Sequence, residues 1–245
     1  MNAKPPFNDL RFAEPLVQVE RRDSGTIVLR SPQTLRSYPN HLGSHLRRWA
    51  AETPDATFLA ERSPQGGWRR ISYRDMLTSV ESIGQALLDR GLSAERPLMI
   101  LSENSIDLAA MTLAGMYVGV PVAPVSPAYS LVSQDFGKLK TIAGLIQPGM
   151  VYAKEGDRYA RAIAALPAGG HEVVVSEGEV PGVGTTRFQD LLTVQPTADV
   201  GIAVDRVNPD QVAKILFTSG STGDPKGVVT THRMLCANQQ SIAQC

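Results

Sequence analysis

The chain has 245 residues, with 24 Lys and Arg set against 24 Asp and Glu, so its formal net charge is zero at neutral pH. Without a basic block that balance argues against a nucleic-acid partner, while the length permits one large domain or two small ones with a sizeable core. Two cysteines, Cys236 and Cys245, are too few for a disulfide framework and lack metal-ligand spacing, so both read as plain thiols.

Residues 1–9 carry no apolar stretch of the kind that forms a signal peptide, and their prolines and acid argue against a transit sequence, which gives a cytoplasmic reading. Residues 16–19 and 26–29 flank Asp23-Ser24-Gly25, predicting a β-hairpin in an extension over 1–39 that packs on the main body. The first helix is expected from Asn40 as cap through Leu42, Leu46 and Trp49 to about Glu52, followed by strands near 56–60 and 68–71. Ser72 with Asp75 resembles a capping box in which Asp replaces the usual Glu or Gln. The apolar positions Met76, Val80, Ile83 and Leu87 then recur at helical spacing until Gly91 closes the helix.

Residues 98–101 are a continuous apolar run, suited to a strand covered on both faces, and lead into a helix opened at Asn104 or Ser105. Gly119 should end that helix and a short buried strand over 120–125 should follow. Between Leu108 and Gln134 there is no charge, a run long enough to span a bilayer, but Gly115, Gly119, Pro121, Pro124 and Pro127 interrupt it and favour burial in a core. A helix over about 131–146, a strand at 150–152, a helix over 158–166 and a strand at 172–175 continue the alternation; 178–184 is a loop and 196–209 a connection before a strand at 212–217. Strands alternating with helices imply an α/β fold with mainly parallel sheets flanked by helices. The expected division is the extension over 1–39, a first α/β subdomain over 40–195, and a segment over 196–245 holding the connection, a strand pair with its glycine-rich loop, and the start of the next helix.

That loop, Thr218-Ser219-Gly220-Ser221-Thr222-Gly223-Asp224-Pro225-Lys226-Gly227, is built to hold phosphate. Glycines let backbone N–H groups approach an anion, Thr and Ser add hydroxyl donors, and Lys adds a mobile positive charge. The pattern G-x-x-x-x-G-K-[ST] fails, because Pro225 precedes Lys226 and Gly227 follows it; G-x-S-x-G fails as well, since Ser219 stands where glycine is required. A dinucleotide fingerprint is absent: Gly182-Val183-Gly184 has Arg187 in place of the third glycine.

The segment, followed by Val228, Val229 and His232, resembles the phosphate-loop signature T-S-G-[ST]-T-G-x-P-K-G of the adenylate-forming (AMP-binding) enzymes: acyl-CoA synthetases, luciferases and peptide-synthetase adenylation domains. Trp49-Ala50, Thr53-Pro54-Asp55, the run 71–76, Asn104-Ser105 and the run 114–122 resemble further landmarks of that superfamily in order, so the likeness extends from about Leu42 onward. Within it, 124–136 and 231–240 are similar to the feruloyl-CoA synthase branch.

The resemblance implies two half-reactions. A carboxylate, for that branch a hydroxycinnamate, attacks the α-phosphate of ATP to give an acyl-adenylate and pyrophosphate; the thiol of CoA then displaces AMP. Thr218, Ser219, Gly220, Ser221, Thr222, Gly223, Lys226 and Gly227 would bind the ATP phosphates, with Lys226 the catalytic counter-charge to the leaving group and Pro225 stiffening the exit. Family enzymes are roughly twice as long, and their adenine, ribose, Mg²⁺ and CoA sites and second catalytic lysine come after the phosphate loop. The chain therefore reads as a truncated N-terminal portion, without metal ligands, most of the acid-binding pocket or a CoA site, inactive by itself, and with an exposed edge through which it could self-associate. Synthetases for another aromatic or fatty acid, and a non-catalytic nucleotide- or partner-binding product, remain open alternatives.

The remaining candidates carry less. His41 and His45 have a metal-compatible spacing but no third ligand, and read as surface or capping residues. His232 reads as structural, at the start of the helix after the loop, and Arg47-Arg48 and Arg69-Arg70 as solvated faces.

Overall fold

The computed structural model describes residues 14, 16–63, 66–219 and 223–244. Strands β1 (Gln18–Arg21) and β2 (Ile27–Arg30) form the expected antiparallel hairpin, turning at Gly25. Packing on the main body does not follow, because nearly every side chain of the two strands is exposed. The segment after it is tied down instead: Gln244 accepts a hydrogen bond from the Arg36 N–H at 2.8 Å and donates to the Thr34 carbonyl at 3.4 Å.

Helix α1 (Gly43–Glu52) starts later than expected, with Leu42 rather than Asn40 at its N-cap and no side chain capping it. Leu42 already has helical dihedrals, and the Ser44 and His45 N–H groups bond to the carbonyls of His41 and Leu42. Strands β3 (Thr57–Arg62) and β4 (Trp68–Ser72) make a separate antiparallel ribbon. Ser72 then caps α2 (Tyr73–Asp89): its hydroxyl accepts from the Asp75 N–H at 3.1 Å. The Asp75 carboxylate accepts a hydrogen bond from the Ser72 hydroxyl at 2.7 Å, a shorter reach than the Glu of a full capping box would have. At the far end Gly91, with φ +65°, sends its N–H to Leu88 while Leu92 bonds to Leu87, the paired closure that a left-handed glycine permits.

Strand β5 (Leu98–Leu101) is the centre of the fold, and none of its four side chains has exposed surface. Leu98 and Ile100 join one hydrophobic cluster, Met99 and Leu101 the other, the alternation of a strand between two layers. Each large apolar side chain fully buried contributes about 1.5–3 kcal/mol, so this strand adds substantially to the driving force. Helix α3 (Ile106–Tyr117) opens with the Ser105 hydroxyl accepting from the Leu108 N–H at 3.0 Å and closes at Gly119, φ +79°.

Strand β6 (Val122–Pro124) follows, then one π-helical turn over Ala128–Val132 and α4 (Gly137–Ile146). The single helix expected over 131–146 is thus two pieces. Ser133 and Asp135 break it: the Ser133 hydroxyl accepts from the Phe136 N–H at 3.1 Å, Asp135 accepts from the Gly137 N–H at 3.1 Å, and Phe136 is left-handed at φ 55°. Strand β7 (Met150–Glu155), α5 (Gly156–Ala164), β8 (Glu172–Glu177), β9 (Thr185–Arg187) and α6 (Phe188–Leu192) come next. The stretch over 196–209, expected as a plain connection, contains α7 (Ala198–Arg206), with Val200 and Val204 buried on one face. Strands β10 (Val212–Ser219) and β11 (Pro225–Thr231) and helix α8 (His232–Gln244) complete the order.

Among the described residues one seven-stranded sheet runs β11-β10-β6-β5-β7-β8-β9, parallel throughout except for the antiparallel β10–β11 pair. Helices α2, α3, α6 and α7 cover one face; α4 and α5 cover the other. The chain goes from β5 to β6 on one side and then back across to β7 on the other, so the strand order reverses beside β5. In open α/β sheets ligands collect at such a reversal, beyond the carboxyl ends of the strands. Among the described residues no helix is long and apolar enough to cross a membrane; the uncharged run from Leu108 is spent on α3 and β6.

Candidate functional site

The glycine-rich segment joins β10 to β11. Because β10 runs parallel to β6, its end at Ser219 points the same way as the carboxyl ends of the parallel strands. Along the hairpin Thr218 stands opposite Lys226, Leu216 opposite Val228 and Lys214 opposite Thr230. Directly opposed and alternate positions share a face, so Lys214, Leu216, Thr218 and Lys226 all project from one side of the ribbon. In the ladder Ser219 is the register partner of Pro225.

Thr218, Gly223, Lys226 and Gly227 are exposed, and Lys226 makes no hydrogen bond or ion pair with any described residue. Gly223 has φ +94° with open space around it, the conformation in which a side chain would be strained. Gly227 serves differently: its backbone is ordinary, but a Cβ there would lie 3.2 Å from Ile215 and 3.4 Å from Phe217, so the missing side chain makes room for the opposing strand. Gly220, Ser221 and Thr222 lie outside the described residues, as does Cys245.

Beside the ribbon, on the α3 side, lies an open groove of about 660 Å³. Leu108, Leu113 and Met116 of α3, Phe58 and Leu59 of β3, and Leu216 are among the residues of its wall; Lys214 is the one charged residue lining it among the described residues. Ser102, Asn104 and Ser126, just past the ends of β5 and β6, supply a neutral polar rim. Periodicity alone did not point to this groove, since its walls come from three separate elements. The lysine interrupting an apolar strand at 214 was the available signal.

The N-terminus of α3 is held by charge. Glu61 accepts from the Ile106 N–H at 2.8 Å, while Arg69 bonds to Glu61 at 3.0 Å and to Asp107 at 2.8 Å. Arg69 is exposed, as expected from sequence, and its ion pairs also tie the β3–β4 ribbon to α3.

His232 is fully buried, neither ring nitrogen has a hydrogen-bond partner among the described residues, and its ring meets that of His41 edge to face at 6.2 Å. Burial, with the neighbouring His41, pushes its pKa down to about 4. His41 and His45 are likewise lowered, in both cases chiefly by burial. His41 is 9% exposed and so is not the surface residue expected. A neutral imidazole sealed from solvent cannot take a proton from a bound substrate, so His232 serves packing. It starts α8 while Arg233 beside it grips Asp210 through two bonds of 2.7 and 2.8 Å. Burial raises the Cys236 thiol, which makes it a poor nucleophile. Among the described residues no group of three or more His, Cys, Asp or Glu gathers to hold a metal ion, and Mg²⁺ is assigned no ligand here.

The protein is similar to known chains along most of its length. It is 32% identical over 235 residues to a hybrid PKS-NRPS synthetase of Thermothelomyces thermophilus, covering 94% of this chain and 5% of that one. A 4-coumarate–CoA ligase-like protein of Arabidopsis thaliana is 30% identical over 172 residues, 69% of this chain and 28% of the relative. The chain thus spans well under a third of the length of these relatives. The fatty acyl-adenylate ligase of L. pneumophila, solved with acyl adenylate and pyrophosphate, superposes with a TM-score of 0.59 at 20% identity, over 82% of this chain and 32% of that one. That likeness establishes the shared fold. The family model described as AMP-binding enzyme matches residues 46–245, running through every strand of the main sheet and the glycine-rich hairpin, and on that match the chain belongs to the AMP-binding enzyme family.

Proposed function

We propose that this chain supplies the phosphate-gripping part of an ATP-dependent, AMP-forming acid–thiol ligase. The carboxylate oxygen attacks the α-phosphorus, the bond from that phosphorus to the bridging oxygen breaks, and its electron pair leaves with pyrophosphate; a thiol, CoA in the reading we favour, later displaces AMP. Charge grows on the diphosphate as it departs. Thr218 and Lys226, side by side at the hairpin's end, and the hydroxyls and amides of 219–223 are the donors that would meet it, each charge-assisted hydrogen bond contributing about 1.5–3 kcal/mol. The carrying observation is this pairing of an exposed lysine, unpartnered among the described residues, with a hydroxyl beyond the carboxyl ends of the parallel strands.

Residues 124–136 and 231–240 favour a hydroxycinnamate as the acid. The likeness to a solved fatty acyl-adenylate ligase supports a longer aliphatic acid as the second reading. ATP affinity should be low, because affinity is the surplus of a whole contact set and the base, Mg²⁺ and CoA are assigned no residues here. Calorimetric titration of the chain with pyrophosphate and with ATP tests the assignment. Saturable binding weakened at least tenfold by Lys226→Ala is expected. Equal affinity in the two proteins, or none in the native one, would remove it.

A further inference from the structure

A second hollow, of about 360 Å³, lies where α1, β3, α2, α3 and α8 meet. Its size falls within the roughly 300–1,000 Å³ of small-molecule sites. Trp49, Phe58 and Tyr73 line it as a connected group, with ring centroids 4.8 Å apart for Phe58 and Tyr73 and 6.2 Å apart for Trp49 and Tyr73. These are the spacings of tilted aromatic pairs, and a further flat ring extends such a group at little cost. Leu42, Leu46 and Leu113 add aliphatic wall, and His45 and Gln239 bring polar groups. The His45 Nε2 is buried and has no hydrogen-bond partner among the described residues. Burial, with Arg48 nearby, lowers the pKa of this imidazole and favours its neutral form, which accepts at one ring nitrogen and donates at the other. A hydroxyl can do either, so it suits Nε2 in both tautomers. Charge on a ligand would find no counterpart, because no Asp, Glu, Lys or Arg among the described residues lines the hollow. The Arg48 guanidinium lies 4.7 Å over the Trp49 ring, so that ring already has its cation.

We propose that this hollow binds a small neutral phenol, its ring against Trp49, Phe58 and Tyr73 and its hydroxyl on His45 Nε2. The occupant is not the acid of the ligase reading, since a carboxylate would meet no cation in the wall, and the inference does not rest on that reading. Phe58 and Leu113 line both this hollow and the groove beside the ribbon, whereas His45, Trp49 and Gln239 belong to the hollow alone. Because α8 follows β11 directly, the occupant would tie α1 to the helix that leaves the hairpin.

The opposing account is a hollow that takes up any apolar molecule without selecting its polar group. The chain is titrated at neutral pH with 4-methylphenol, toluene, 4-methylbenzoate and 4-methylbenzylammonium, followed by calorimetry and by backbone amide shifts. 4-Methylphenol should saturate at millimolar concentration or below, binding about threefold or more tightly than toluene, as one hydrogen bond allows, and about tenfold or more tightly than either ion. Its shifts should gather on α1 and around Gln239. His45→Phe, which keeps a ring and removes the hydrogen bond, should bring 4-methylphenol to the level of toluene, and Trp49→Ala should weaken both. Melting curves check that the variants fold; if either does not, the ranking of the four probes on the native chain decides alone. Equal affinity for 4-methylphenol and toluene, tighter binding of either ion, no saturation at millimolar ligand, shifts gathered at Ser126 and Leu216 instead, or an unchanged preference in folded His45→Phe would overturn the proposal.

Discussion

Acidification should loosen this fold through His232. Its imidazole has no exposed surface, no hydrogen-bond partner among the described residues, and a pKa pushed from 6.5 down to about 4. The unfolded chain therefore takes up the proton first, and stability gained from keeping the ring neutral is complete above about pH 6.5 and drains as the pH falls toward 4. From those two values the loss is about 1.4 kcal/mol by pH 5.5 and about 3 kcal/mol below pH 4, a large share of a typical domain's stability. His41, lowered by burial and by Arg47 but raised by Asp205, and His45, lowered by burial and by Arg48, add to the loss in the same direction. The assay is a series of urea melts between pH 7.5 and 5, a range chosen to stay above most carboxylate titrations. His232→Leu removes the titrating group without stranding a hydrogen-bond partner, so its stability should change by about 1 kcal/mol less than the native chain's between pH 7.5 and 5.5. Identical pH dependence in the two proteins would refute the reasoning.

Other outcomes follow from single contacts. Gly115→Ala places a Cβ 2.6 Å from Val122 Cγ2 and 3.1 Å from the Val120 carbonyl, so α3 must shift off β6; a loss of about 1–3 kcal/mol is expected in denaturant melts. Ser72→Ala removes the acceptor for the Asp75 N–H and should cost about 1 kcal/mol, with Ser72→Asp restoring most of it. Arg69→Ala leaves Glu61 and the buried Asp107 without their cation, and should destabilise by about 1–3 kcal/mol in denaturant melts at pH 7.

Much of the architecture was legible because local chemistry and tertiary role coincided. Ser72 and Ser105 cap the helices they precede, Gly91 and Gly119 end them, and the four apolar residues of β5 sit between two layers. Misreadings arose where a distant partner decided the outcome. Helix α7 has Gly201 and three β-branched residues against it, yet Thr197 anchors it by sending its N–H and its hydroxyl to Oε1 of the Gln85 side chain at 2.9 Å each, a partner 112 residues away. The break before α4 came from the opposite cause, Ser133 and Asp135 offering the backbone nearer partners than the helix would. At the site, spacing alone marked the residues of the hairpin, but their arrangement depends on strand register, which sets Lys226 against Thr218 and puts Lys214 on the same face. Burial of His41 and His232 against each other joins the segment before α1 to the start of α8 and leaves no local trace in the sequence.

The central claim is that the β10–β11 hairpin grips the phosphates of a nucleotide. Amide chemical shifts recorded while pyrophosphate is titrated into the chain test it most directly. The account predicts saturable shifts concentrated at Thr218, Gly223, Lys226 and Gly227, reduced in Lys226→Ala. Shifts absent there, or gathered at the far end of the sheet around Gln147 and His171, would contradict it.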